Sequence, residues 1–250
     1  RDIGTVAEIR RQAEALGSEV SESELDSQFR CSGSDGYLSW LDNLLDIRET
    51  ANPLWDESYA YDFRLFDDPN QLRDVILERN RADNRSRLVA GYCWNWISEG
   101  KSDPGVHDII IGDYGFEMSW NLSSTSTWAI DPDSVNEVGC IHTCQGLEFD
   151  YVGVIIGPDI RYEDGRVVTD VSKRAKTDQS IRGIRKLPAE ERDRVASRII
   201  KNTYKVLMTR GMKGCYVYCC DKNLQRHMES ALGKRGALCD RCKVERRLPS

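Results

Sequence analysis

Apolar residues along this chain recur with two periods, one helical and one alternating. Val6, Ile9, Ala13 and Leu16 fall on one helical face and predict a helix over 4–16. Residues 25–31 read as a short strand carrying Gln28, Phe29 and Arg30. Ser34 and Asp35 suit a helix N-cap, and the segment 35–48 turns Tyr37, Leu38, Leu41, Leu44 and Leu45 inward. Residues 61–66 alternate like a strand, and Asp68-Pro69 opens a helix running to about Ala82. Residues 88–96 read as a strand, as do 136–142, 151–156 and 215–220. A helix is expected from Pro188 to about Met208, with a break near Asn202, and another from Lys222 to Leu232.

Strands that alternate with helices argue for an α/β fold with a mostly parallel sheet flanked by helices. One domain is expected over 1–232. Two stretches do not follow the pattern. Gly, Pro, Ser, Asp and Asn break 99–135 into short apolar pieces, as in hairpins or an irregular excursion. Residues 157–188 are basic and weakly periodic, and read as a long insertion. The polar tail 233–250 is expected to be disordered.

Composition narrows the class. A chain of 250 residues with 40% hydrophobic and 30% charged residues is that of a globular protein. No apolar run approaches the ~20 residues that cross a bilayer, and no signal peptide opens the chain. The start at Arg1 is expected to mark an excised fragment. Nine cysteines spread over the length, several in apolar runs, suit reduced core thiols and a cytoplasmic location. The net charge of −6 is uneven: residues 1–160 hold 12 Lys/Arg against 30 Asp/Glu, whereas 161–213 hold 15 against 7. That basic stretch either follows a nucleic-acid backbone or is a solvated, charge-rich surface.

The most informative stretch is Val138–Asp150, an apolar run, a polar turn containing Gly146, and then the apolar run 151–156. Its Thr143-x-Gln145-Gly146-Leu147-Glu148-Phe149-Asp150 pattern resembles motif V of superfamily 1 helicases. Tyr204–Gly211, with Thr209-Arg210-Gly211, looks like motif VI, and Gln28-Phe29-Arg30 is similar to the core of motif IV. Together with Gly33–Tyr37 and Trp40-Leu41-Asp42, these segments resemble the C-terminal half of a Schlafen-helicase-like family of DNA/RNA helicase proteins.

The resemblance implies a RecA-like second motor domain. Arg210 and Arg30 would be catalytic contacts to the ATP γ-phosphate, and Glu148, Gly146, Gln145 and Gln28 would contact or sense the nucleotide. Thr143 and His142 would touch single-stranded DNA or RNA. No G-x-x-x-x-G-K-[ST] occurs in the sequence, so ATP and Mg²⁺ would need a first RecA-like domain in cis, and this chain alone is expected to be inactive. The alternative is a catalytically silent helicase-fold module that binds protein or nucleic acid.

Several residues allow simpler roles. An arginine at a helix end can serve only the helix dipole, and Arg30 can be a surface ion pair. Trp94 and Trp96, two apart on the expected strand, would face one side, either as core or as a stacking surface for bases. Asp108, Asp113 and Glu117 could hold Mg²⁺, but no suitably spaced lysine follows them. Cys239 and Cys242 form a single C-x-x-C where a zinc ribbon wants two, so no metal site is assigned.

Overall fold

The computed structural model describes residues 6–21, 31, 35–56, 58–97, 103, 105–120 and 127–233. The chain runs α1 (Val6–Ala15), α2 (Asp35–Leu44), β1 (Asp62–Phe66), α3 (Pro69–Asp83) and β2 (Ser86–Ala90). Then follow β3 (Ile109–Ile111), β4 (Phe116–Met118), β5 (Val138–Gly139) and β6 (Phe149–Ile156). It closes with β7 (Ile160–Glu163), β8 (Arg166–Thr169), α4 (Ala189–Met208), β9 (Gly211–Cys219) and α5 (Lys222–Leu232).

Five strands form one sheet in the order β1-β9-β6-β2-β5, and every pairing in it is parallel. The α/β reading with a parallel sheet therefore holds. Parallel strands expose neither face to water, so both faces need cover. Alternation sorts the side chains. Val152, Val154 and Ile156 of β6, with Cys215, Val217 and Cys219 of β9, pack against α2, α4 and α5. Ile155, Tyr216 and Tyr218 point to the other face, where Leu72 and Ile76 of α3 and Phe116 of the β3–β4 hairpin cover them.

Local chemistry sets the boundaries. The Asp68 carboxylate accepts from Asn70 N at 2.8 Å, Pro69 occupies the first turn of α3, and Asn84 ends the helix in the left-handed region at φ 55°. Asp221 caps α5 through Leu224 N at 2.7 Å. Buried Arg87 donates to Ser134 Oγ at 2.7 Å, Ala129 O at 2.9 Å and Asp131 O at 2.8 Å, fastening residues 129–134 to β2 just before β5. Burial lowers its pKa, against the pull of Asp131 and Glu137.

The structure departs from the sequence reading at several places, among them the end of α2, which stops at Leu44 and not at residue 48. The strand expected over 88–96 ends at Ala90, because Gly91 lies under the Tyr204 hydroxyl, where a Cβ would come within 1.9 Å of Tyr204 Oη. Trp94 and Trp96 therefore sit in a loop, not on one face of a strand. The strand expected over 136–142 shrinks to Val138–Gly139. The α4 helix runs through Asn202 without a break, its buried Ala196, Ile200, Tyr204 and Leu207 keeping one stripe throughout. Finally, the 157–188 insertion contains the hairpin β7–β8, turned at Asp164 and Gly165, whose φ values of 50° and 79° suit an Asp-Gly hairpin turn. The segments holding Gln28 and Arg30, and Cys239 and Cys242, lie outside the described residues.

Candidate nucleotide and nucleic-acid site

The Val138–Asp150 stretch spans the sheet from one edge to the other. Gly139 pairs with Val89 near the carboxyl end of β2, whereas Phe149 pairs with Gly211 at the amino ends of β6 and β9. The connecting turn, 140–148, must therefore travel back along the sheet. Cys144, fully buried, and Leu147 pin it to the α2/α4/α5 core. Cys144 N closes a helical turn on Cys140 O at 3.1 Å. Gly146 has φ 78°, a conformation a side chain would strain.

At the amino edge the turn meets the Thr209-Arg210-Gly211 segment. Arg210 lies at the junction of α4 and β9, and its backbone O accepts from Phe149 N at 2.9 Å. Three side chains fix that junction. Tyr37 Oη donates to Met208 O at 3.0 Å, Tyr61 Oη to Gly211 O at 3.1 Å, and Cys31 Sγ lies 3.6 Å from Thr209 O. Gly211 is obligatory, since a Cβ there would come within 2.0 Å of Gly214 O. Cys31 directly follows Gln28-Phe29-Arg30 in sequence, and of these four residues it alone is among the described ones.

The Arg210 side chain is 5% exposed, yet it has few partners. Nη1 donates to Leu147 O at 3.2 Å, and Nε is buried with no hydrogen-bond partner among the described residues. A buried donor left unpaired costs on the order of 1–3 kcal/mol, so it invites explanation. Burial pushes the neighbouring Cys144 thiol up to about 12 although the Arg210 charge opposes the shift, which leaves Cys144 an inert thiol. Gln145, Gly146 and Glu148 are exposed on the same limb of the turn.

At the carboxyl edge the turn carries the other candidates. His142 is exposed, and its ring meets that of Tyr92 edge-on at 5.9 Å. Thr143 Oγ1 lies 3.3 Å from Cys140 Sγ. Trp94 and Trp96 are half-buried against the α3 side of the sheet. Residues the sequence reading did not single out, Tyr92 and the Leu147 carbonyl, prove to be the contacts that orient His142 and Arg210.

The basic insertion is also more than a charged surface. Arg174 is fully buried, donating to Asp159 Oδ2 at 2.9 Å and to Asp178, while Tyr204 Oη donates to Asp159 and accepts from Gly157 N at 2.9 Å. Burial alone would lower the Arg174 pKa, but Asp159 and Asp178 raise it above the ordinary value. This cluster closes the carboxyl ends of β2 and β6, where open α/β sheets commonly hold ligands. For magnesium the described residues offer no group of three His, Cys, Asp or Glu side chains. Asp108 instead accepts from Ile97 N at 2.6 Å and Trp120 N at 3.0 Å, and Glu117 lies 3.1 Å from His107 Nδ1. Among the described residues no helix is long and apolar enough to cross a membrane.

An uncharacterized protein of Saccharomyces cerevisiae is 26% identical over 219 residues, covering 82% of this chain. The chain spans 47% of that relative, about half its length. A solved structure, the C-terminal domain of a possible DNA helicase from Lactobacillus plantarum, overlaps distantly, at a TM-score of 0.29 and 10% identity, over 80% of this chain and 94% of its own. The model of the Schlafen group 3 DNA/RNA helicase domain matches residues 1–221, which contain the turn, the Arg210 junction and the whole parallel sheet, and the chain belongs to that family.

Proposed function

We propose that this domain is the second motor half of an ATP-driven DNA or RNA translocase, completing a nucleotide site at its amino edge. The observation that carries this reading is the buried, under-bonded guanidinium of Arg210 on a rigid junction. Phosphoryl transfer gains from fixed positive charge on the γ-phosphate oxygens, and a planar guanidinium supplies it with forked donors. The tyrosine contacts and Gly211 hold the backbone still, so little reorganisation is needed when a phosphate arrives. Arg30, next in sequence to Cys31, would be a second such contact.

Glu148, on the exposed limb, would accept from a ribose hydroxyl, and Gly146 would let main chain approach the ligand. Gln145, on the same limb, would couple the two sites. Thr143 and His142 would touch the nucleic-acid backbone. One turn would thus link both ligands, and differential binding in open and closed arrangements would drive movement. The magnesium and phosphate cradle would come from a first RecA-like domain in cis.

The test is ATP hydrolysis by the intact protein carrying this chain, with and without single-stranded DNA or RNA. Arg210→Ala is expected to cut stimulated turnover about a thousandfold or more with ATP binding retained. Unchanged turnover in the variant would sink the reading. Absence of hydrolysis in the parent would leave a helicase fold used only for binding.

A further inference from the structure

Beside His142, which the motor reading already sets against the strand, the carboxyl edge carries side chains that this reading does not use. Three segments far apart in sequence converge there. The loop after β2 presents half-buried Trp94 and exposed Asn95 beside buried Tyr92, the turn presents His142, and the insertion presents Lys176. Ala175 N donates to Tyr92 O at 2.9 Å and Lys176 N to Asn95 Oδ1 at 3.0 Å, so the insertion is stitched to the aromatic loop by its main chain. Arg174, the residue before Ala175, is locked between Asp159 and Asp178. That lock fixes the register in which exposed Lys176 leaves the surface.

The aromatic side is equally rigid. Tyr92 stacks on Trp120 at 5.7 Å and 29°, Trp120 Nε1 donates to Trp94 O at 3.1 Å, and Trp94 Nε1 donates to Ile110 O at 3.4 Å. Trp94 is half-buried, and His142, Asn95 and Lys176 on this edge are exposed. A half-buried aromatic ring near an exposed lysine suits a chain of flat bases on a phosphate backbone: a ring stacks on any base, and the ammonium meets phosphate.

We propose that Trp94 and Lys176 form a base-stacking subsite for single-stranded nucleic acid, with Trp94 against a base and Lys176 on a phosphate. It rests on the motor reading only in taking nucleic acid as the ligand. Because stacking is indifferent to base identity, the subsite prefers single strands over duplexes rather than one sequence over another.

Binding of a fluorescent oligothymidylate to the intact protein, across a salt series, tests this. Trp94→Leu is expected to weaken binding about tenfold and to erase the preference for base-bearing over abasic strands. Lys176→Ala, a surface change that leaves folding intact, is expected to lower affinity and reduce the salt slope by about one. Equal binding of abasic and base-bearing strands by the parent protein, or parent-like binding by both variants, would overturn the subsite. Arg210→Ala should leave this binding unaltered. Strand binding of this kind without ATP hydrolysis would therefore keep the subsite and remove the motor reading. Stimulated hydrolysis indifferent to both subsite variants would do the reverse.

Discussion

Arg174 and Arg210 are both buried arginines at the edges of one parallel sheet, and they could hardly be bonded more differently. Arg174 closes the carboxyl edge between two carboxylates, with Asp159 further held by Tyr204. Arg210 lies at the amino edge against Leu147 O and the Cys144 thiol, with Nε without a partner among the described residues. A saturated buried charge is architecture, since its donors have nothing left to offer a ligand. An under-bonded one, held still by its neighbours, retains donors for something that comes and goes. In this chain the buried arginine at the edge where α/β sheets usually bind ligands is structural. The nucleotide candidates have gathered at the opposite edge.

The sharpest way to break this contrast is to remove each guanidinium while keeping most of the stem. Arg174→Met leaves two buried carboxylates uncompensated and is expected to cost about 3–5 kcal/mol in urea unfolding. Arg210→Met forfeits one neutral acceptor contact and relieves an unpaired donor, so its stability should stay within about 1 kcal/mol of the parent. Equal losses would erase the distinction between the two edges.

A smaller effect should come from the backbone beneath the carboxyl-edge cluster. In Gly91→Ala the new methyl would meet the Tyr204 hydroxyl, and in Gly157→Ala it would come within 2.4 Å of Cys93 Sγ. Each is expected to cost about 1–3 kcal/mol by displacing a packed group. Alanine at Gly112, where nothing lies within 4 Å, serves as the control. Parent-like unfolding of Gly91→Ala would mean that the cluster is loosely built.

The smallest effect concerns pH. Burial pushes the Asp150 carboxyl up, but Lys213 at 2.6 Å and Arg85 at 3.0 Å hold it below the usual carboxylate range. A carboxyl depressed in the folded state contributes stability that is present above its ordinary range, near pH 4. That contribution is lost as pH falls through the lower folded value. Lys213→Met should therefore lower the urea midpoint slightly at pH 6 and leave it nearly unchanged at the most acid end. The opposite ordering would remove Asp150 from the acid response.

Much of this was legible in the chain. Periodicity marked α1, α2, α3, α4 and α5 and the strands of the sheet, because amphipathic helices and buried parallel strands must write their burial into sequence. The motifs around Gly146 and Arg210 pointed to one site, since a turn at positive φ and a tight helix-to-strand junction restrict residue type. Asp164-Gly165 carried a hairpin signal inside what reads as a featureless insertion.

What the sequence determined by itself was the class of fold, the order of its elements and the motifs that ally it to helicase domains; these depend on local spacing and on which residues a turn permits. Only the tertiary structure decided that β2 stops at Ala90, that Arg174 is buried while Lys176 is not, and that one turn reaches both edges of the sheet. Each of those outcomes depends on a partner distant in the chain: Tyr204 over Gly91, Asp159 beside Arg174, and Leu147 against Arg210. Composition can show that a segment is rich in arginine, but a charge becomes core or surface according to whether the fold brings a carboxylate to meet it.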